Sequence, residues 1–337
     1  MKFAYLLIAL LFAVQTASSQ WTKNDVGTDA SFRGLDVESK KVIWASGTGG
    51  TVIRTIDGGK QWAVFKVPGA EKLDFRDIEA FGRNTAYVLS IGNGGSSRIY
   101  KTADGGESWT LQFTNSVKEA FFDSIAFWDE KHGIAQSDPI DGKYVFYETR
   151  DGETWTQVPP SNMPPAEEGE AAFAASGTCI VTRGKNEVFL ITGGKAAHVY
   201  HSNNRGQTWT GVKAPLIYGE AGTGVFGIAY KGKRAMIVGG DYTKPENKNG
   251  TVAYSDDRGK TWQTKLKISD FGYRSGVAFA GKKIAVVVGI KGSNITHDGG
   301  NTWRELDQVE RNTVMAKGKK AVWAVGPKGE VSKLKIN

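Results

Sequence analysis

From residue 32 onward the chain is written as short apolar runs separated by polar, glycine-rich turns. Residues 75–81 alternate polar and apolar positions, the pattern of a strand with one buried face. Residues 86–91 are apolar almost throughout and fit a strand buried on both faces. Two more strand-like runs follow at 99–102 and 109–113. No window carries the period of a long amphipathic helix, so the pattern predicts an all-β chain.

The turn before the fourth run is repeated. It reads Thr102-Ala103-Asp104-Gly105-Gly106-Glu107-Ser108-Trp109 and returns at 55–62, 202–209, 255–262 and 296–303. A copy one residue shorter stands at 149–155. The tryptophans that close these boxes, Trp62, Trp109, Trp155, Trp209, Trp262 and Trp303, recur every ~40–55 residues, the length of a four-stranded propeller blade. The box chemistry suits the hairpin between strands three and four. Its aspartate (Asp57, Asp104, Asp151, Asp257, Asp298) accepts backbone N–H bonds, and its glycine takes the positive φ of a tight turn. These aspartates are therefore expected to be structural.

Six blades are expected at 32–67, 75–113, 121–158, from near Ala171 to Val212, from Val225 to Ile268, and 273–306. Residues 313–316, 321–325 and 331–336 supply three strands of a seventh. Its outer strand is expected from the other end of the chain, where Gln20-Trp21-Thr22-Lys23 starts as the other outer strands do. The expected fold is a seven-bladed β-propeller over residues 20–337, closed without a free sheet edge.

Two insertions break the period, at 159–170 between blades three and four and at 239–250 between strands two and three of blade five. In a propeller both emerge on the face opposite the boxes, and candidate chemistry collects there. Arg33 and Arg76 head two inner strands, and Tyr273-Arg274 opens a third. Three guanidiniums converging on the axis would form a receptor for a carboxylate, phosphate or sulfate. Asp77, Asp123, Asp138, Glu170 and Asp241 are expected on the same rim, with Tyr242 and Lys244 beside Asp241. The competing reading is that these acids and arginines neutralise one another around a polar channel. Asp138, Glu170, Asp241 and Tyr242 are also the residues a glycosidase could use, since paired carboxylates do that chemistry.

Composition narrows the classes. Lys2 followed by an apolar run at 3–14 and by Ala17-Ser18-Ser19 has the form of a cleaved signal peptide over residues 1–19, so a secreted or periplasmic chain is expected. The later chain holds no apolar run long enough to cross a bilayer as a helix. The net charge of +8 suits an anionic partner, but the lysines form no block, and export argues against nucleic acid. Cys179, the lone cysteine, lies in an apolar run and is expected buried. His132, His198, His201 and His297 lack metal-ligand spacing, so no metal is expected. With no nucleophile elbow, Walker loop or dinucleotide fingerprint, no cofactor is expected either.

The repeated turn resembles the Asp-box, or bacterial neuraminidase repeat. Phe32-Arg33, residues 42–47 and the first box together resemble the photosystem II stability/assembly factor-like group. Residues 126–129, 240–245 and 272–276 resemble its heterotrophic bacterial branch. The resemblance implies an assembly factor with an arginine-rich patch, to which Arg33, Arg76 and Arg274 would contribute. Sialidases share the box, but this chain departs from them in blade count and lacks their arginine-isoleucine-proline motif. The expectation is an exported, monomeric, non-catalytic module that binds a protein or an anionic ligand. The alternative is a glycan-active hydrolase or lyase using carboxylates on the same face.

Overall fold

The computed structural model describes residues 20–158, 162–265 and 270–336. The expected signal peptide lies outside them. Seven antiparallel sheets are arranged as the blades of a propeller. Their inner strands are Phe32–Val37, Phe75–Phe81, Phe122–Asp129, Ile180–Arg183, Thr223–Lys231, Gly276–Phe279 and Thr313–Ala316. Each packs on the next and the last packs on the first, so the ring closes. In the seventh blade Trp21–Lys23 is the outer strand, in register Trp21 with Leu334 and Lys23 with Ser332. The two ends of the chain therefore share one sheet.

Apolar residues are buried between neighbouring sheets. Trp44 and Val52 of blade one pack on Phe75 and Val88 of blade two, and Tyr87 and Leu89 pack in turn on Phe122 and Ile125. The boxes hold the hairpins as expected. The Asp104 carboxylate accepts from Thr102 Oγ1 at 2.9 Å, Ser108 N at 2.9 Å and Ser108 Oγ at 2.5 Å. Those bonds, from the Ser108 hydroxyl foremost, hold Asp104 down to about 2. In the Ser202–Trp209 copy, Asn204 takes the aspartate's place and its Oδ1 accepts Thr208 N at 2.9 Å. In several boxes the second glycine has a further reason to lack a side chain, because it lies on an aromatic ring of the preceding blade. A Cβ on Gly106 would stand 2.9 Å from Phe65, and one on Gly300 2.2 Å from Tyr254.

Blade four departs from expectation. Its inner strand begins at Ile180, not near Ala171. Glu170–Ala171 instead pairs with Gly193–Gly194, which joins the sheet of blade five. The run Ala171-Ala172-Phe173-Ala174-Ala175 lacks the alternation of a half-buried strand, and it turns inward over the axis. In blade five a single bridge, Tyr254 with Gln263, stands where the outer strand is expected among the described residues; residues 266–269 of that expected span lie outside them.

Candidate functional site

The inner strands build the axial mouth through one repeated irregularity. In blades one, two, three and five a register shift leaves one residue of the inner strand unpaired: Arg33, Arg76, Asp123 and Phe226. Such a bulge re-aims its side chain. Arg33, Arg76 and Phe226 line a cavity of about 310 Å³ over the axis, together with Ser275 and Asn312 from blades six and seven. The glycine that follows three of these positions is required by close approach to the next blade. A Cβ on Gly34 would lie 2.8 Å from the Asp77 backbone, one on Gly227 2.7 Å from Ser275 O, and one on Gly276 3.0 Å from Thr313 Cα.

The segment crossing from blade three to blade four roofs this mouth. Arg33 Nη1 donates to Ala175 O and Arg76 Nη1 to Ala174 O, each at 3.2 Å. Arg76 Nε also meets Asp74 Oδ2 at 2.8 Å. Burial, then the neighbouring Arg76, holds Arg33 below the usual arginine range. Two cations thus rest against successive carbonyls of one loop, with Asp74 the only carboxylate within ion-pair distance of either among the described residues. An aromatic wall stands beside them. Phe173 stacks on Phe226 at 4.0 Å, and Tyr273 meets Phe226 edge-on at 4.9 Å. Tyr242 closes the outer side, half-exposed. Tyr273 is buried, and burial raises its hydroxyl pKa.

Arg274 does not join Arg33 and Arg76. Its backbone N–H donates across the blade boundary to Gly239 O, as Phe32 N does to Gly326 O. It therefore occupies the position of Phe32, one residue out of phase with Arg33. The glycine rule makes the same point, because Ser275-Gly276, not Arg274, matches Arg33-Gly34. Arg274 is buried against Phe271 and donates to Tyr273 O at 2.8 Å and Asn294 Oδ1 at 2.6 Å. Burial pushes it down to about 10.

Apart from Asp123 and Asp138, which adjoin one another, the acids are also dispersed. Asp123 is fully buried, takes a bond from Gln136 at 3.4 Å, and is raised by burial and then by Asp138. Asp138 accepts Ala172 N at 2.8 Å and so anchors the roofing segment. Glu170 is locked between blades four and five, accepting from Thr192 Oγ1, from Tyr200 OH at 3.1 Å and, across 3.0 Å, from His198 Nδ1. Burial pushes Glu170 up, but the bonds from His198 and Thr192 outweigh it and leave its pKa lowered. Asp241 is buried and caps its own loop through Thr243 N at 2.9 Å and Thr243 Oγ1 at 2.6 Å; Lys244 Nζ is 4.0 Å away and largely exposed. The carboxylate that does line the cavity is Glu310, which the sequence did not single out. Phe173, Ala174 and Ala175 were missed too, since nothing local marks a loop that turns inward.

Beneath the mouth, acids stitch the first three blades together. Asp36 Oδ2 accepts Ala80 N at 2.7 Å, and Asp77 Oδ2 accepts Ile125 N at 2.8 Å and the Ser124 hydroxyl. Burial pushes Asp36 and Asp77 up to about 7 and Glu79 well above its ordinary range. A raised folded pKa means stability is complete below the unfolded value near 3.8 and is lost as pH rises through about 7. The box aspartates, with depressed values, act oppositely, but only below about pH 4. The unfolding temperature should therefore fall between about pH 4 and pH 7. Glu79→Gln should flatten that fall, raising the midpoint at neutral pH and leaving it unchanged at pH ~4. A pH series of thermal melts checks this; parallel curves for the two proteins would refute it.

A family model for the BNR/Asp-box repeat matches residues 253–264, the box of blade five. The photosystem II assembly lipoprotein Ycf48 of Picosynechococcus sp. (strain ATCC 27264 / PCC 7002 / PR-6) is 23% identical over 87% of this chain and 92% of the relative. Ycf48 of Synechococcus sp. (strain CC9902) is 24% identical over 71% of this chain, which spans only 64% of that relative. The chain is an Asp-box β-propeller similar to the photosystem II assembly factors. Solved structures show the same fold. YCF48 bound to D1 peptide superposes with a TM-score of 0.68 at 15% identity, over 94% of this chain and 97% of that one. The GH74 enzyme of Niastella koreensis matches at 0.61 and 14% identity, over 92% of this chain but 53% of the enzyme.

Proposed function

We propose that this propeller is a protein-binding assembly module that grips a carboxylate-bearing segment of its partner at the axial mouth. One observation carries the reading. Arg33 and Arg76 sit side by side in a concave pocket with donors left over, next to an aromatic wall. Paired guanidinium forks suit a carboxylate, and the wall suits an adjoining apolar side chain. The likeness to a propeller solved with a peptide supports a peptide-like ligand. The apolar run at residues 3–14 supports export as the route to that partner.

The fold likeness to a GH74 enzyme keeps a hydrolase in view. Glycosidases need two carboxyls about 5–10 Å apart across an open cleft. Here Asp138 adjoins Asp123, but Asp123 is buried and neither lines the mouth. Asp138, Glu170 and Asp241 each bind their own loop or a neighbouring strand, and Glu310 lines the mouth without them. That arrangement supports the non-catalytic reading. The test is titration with a fluorescent peptide whose last residue is apolar, carrying a free or an amidated C-terminus. Binding of the free acid with loss on amidation is expected. Equal binding of both forms, or cleavage of acidic oligosaccharides by the protein, would overturn the proposal.

A further inference from the structure

The opposite face carries a second pattern. Five of the six box turns lean on the hairpin between strands one and two of their own blade through a backbone bond. Gly58 N donates to Lys41 O at 3.0 Å, Arg258 N to Lys233 O at 2.9 Å and Gly299 N to Lys283 O at 2.8 Å. These inner hairpins encircle the axis, and every one of the seven presents an exposed cation. Blades six, seven and one are the densest, with Lys282-Lys283, Lys317-Gly318-Lys319-Lys320 and Lys40-Lys41. Arg83, Lys131, Lys185 and the Lys231/Lys233 pair continue the ring through blades two to five. Among the described residues none of these side chains is in an ion pair. Acids on the same hairpins are few: Glu38, Asp129, Glu130 and Glu187, with Asp129 held by His132 and Glu187 by Arg183 and His201. The box aspartates lie farther out, and their carboxylates are occupied by turn amides.

We propose that this cationic ring docks the protein on an anionic lipid surface. Three features choose a membrane over a polyanionic chain. The cations form a closed ring around one end of the propeller, which matches a plane, not a groove that would track a strand. Nearly all are lysines, which act as point charges on flexible stems and suit diffuse attraction to headgroups, not forked recognition. An exposed apolar residue, Ile56, sits among Lys40, Lys41, Arg83 and Lys317 around an open hollow. The start of the described chain is on this face as well. Gln20 bonds Arg304, the first residue of an outer strand just after its box, so in the unprocessed chain the apolar run at 3–14 is joined to this side. Docked this way, the arginine mouth faces away from the bilayer and stays open to a partner.

Co-sedimentation with vesicles tests it. Vesicles of phosphatidylcholine with about one quarter phosphatidylglycerol should bind the protein at about 50 mM salt and lose it at about 500 mM, where charge is screened within ~4–5 Å. Pure phosphatidylcholine should not bind it. The variant Lys40→Glu/Lys41→Glu/Lys319→Glu/Lys320→Glu should lose at least tenfold in binding, with an unchanged melting curve because all four side chains are exposed. Arg33→Ala on the other face should bind as the parent does. No binding to the anionic vesicles, equal binding to neutral ones, binding that survives the fourfold reversal, or retention on heparin without vesicle binding would each overturn the proposal.

Discussion

Arg311→Ala should lower the midpoint of thermal unfolding by roughly 10 °C, an effect of about 3–5 kcal/mol. The reason is the closure of the ring. Arg311 is 2% exposed and stands where the last blade begins. Its guanidinium takes both oxygens of Asp307, at 2.8 and 2.9 Å, from the outer strand of blade six. Its Nε lies 3.2 Å from Glu330, and its plane covers Trp21 of the N-terminal strand at 4.4 Å. Ser293 extends the cluster, donating to Asp307 at 2.7 Å and accepting from the Trp21 indole at 2.9 Å. Removing the cation leaves the largely buried Asp307 without its cation, leaves Glu330 with only the exposed Lys23 at 3.7 Å, and takes the lid off Trp21. Breaking a buried pair from one side costs far more than the pair is worth intact. Differential scanning calorimetry is the measurement. A drop below about 2 °C would mean that Trp21–Lys23 closes the ring without this cluster.

The sequence shows the architecture because each blade's turn chemistry is local. Thr102, Asp104, Gly106 and Ser108 satisfy one another within a single hairpin, so their spacing survives in the linear chain. The closing strand is legible for the same reason, as Trp21 stands where the box tryptophans stand. The site is not local. It takes one residue from each of several blades, and which residue faces the axis depends on a bulge. Aligning Tyr273-Arg274 with Phe32-Arg33 slips that phase by one position and turns a buried, interblade arginine into an apparent ligand. Ser275-Gly276 against Arg33-Gly34 and Phe226-Gly227 was the available correction. The acids misled for a different reason. Asp138, Glu170 and Asp241 do approach the expected rim, but each is consumed by hydrogen bonds that only the folded chain reveals.

Arg33→Ala together with Arg76→Ala should weaken binding of the free-carboxylate peptide at least ~100-fold. Hydrogen bonds to charged groups contribute about 1.5–3 kcal/mol each, and two guanidiniums forgo at least two of them. The pair is only half-buried and bonds loop carbonyls with one nitrogen each, so the fold should persist and the melting point should move by only a few degrees. Each single variant should lose roughly tenfold, because the remaining fork still holds one carboxylate oxygen. Substituting Arg274 instead should damage stability more than binding, since its partners are Tyr273 O and Asn294 in the neighbouring wall. A double variant that binds within threefold of the parent would exclude the mouth as the site.

Hydrogen–deuterium exchange of the full protein with and without the bound peptide tests the central claim most directly. Protection is expected at residues 173–176, 241–243 and 273–275, the roof and aromatic wall over Arg33 and Arg76, with the box hairpins unchanged. Protection confined to the box face, or none at the mouth under saturating peptide, would contradict it.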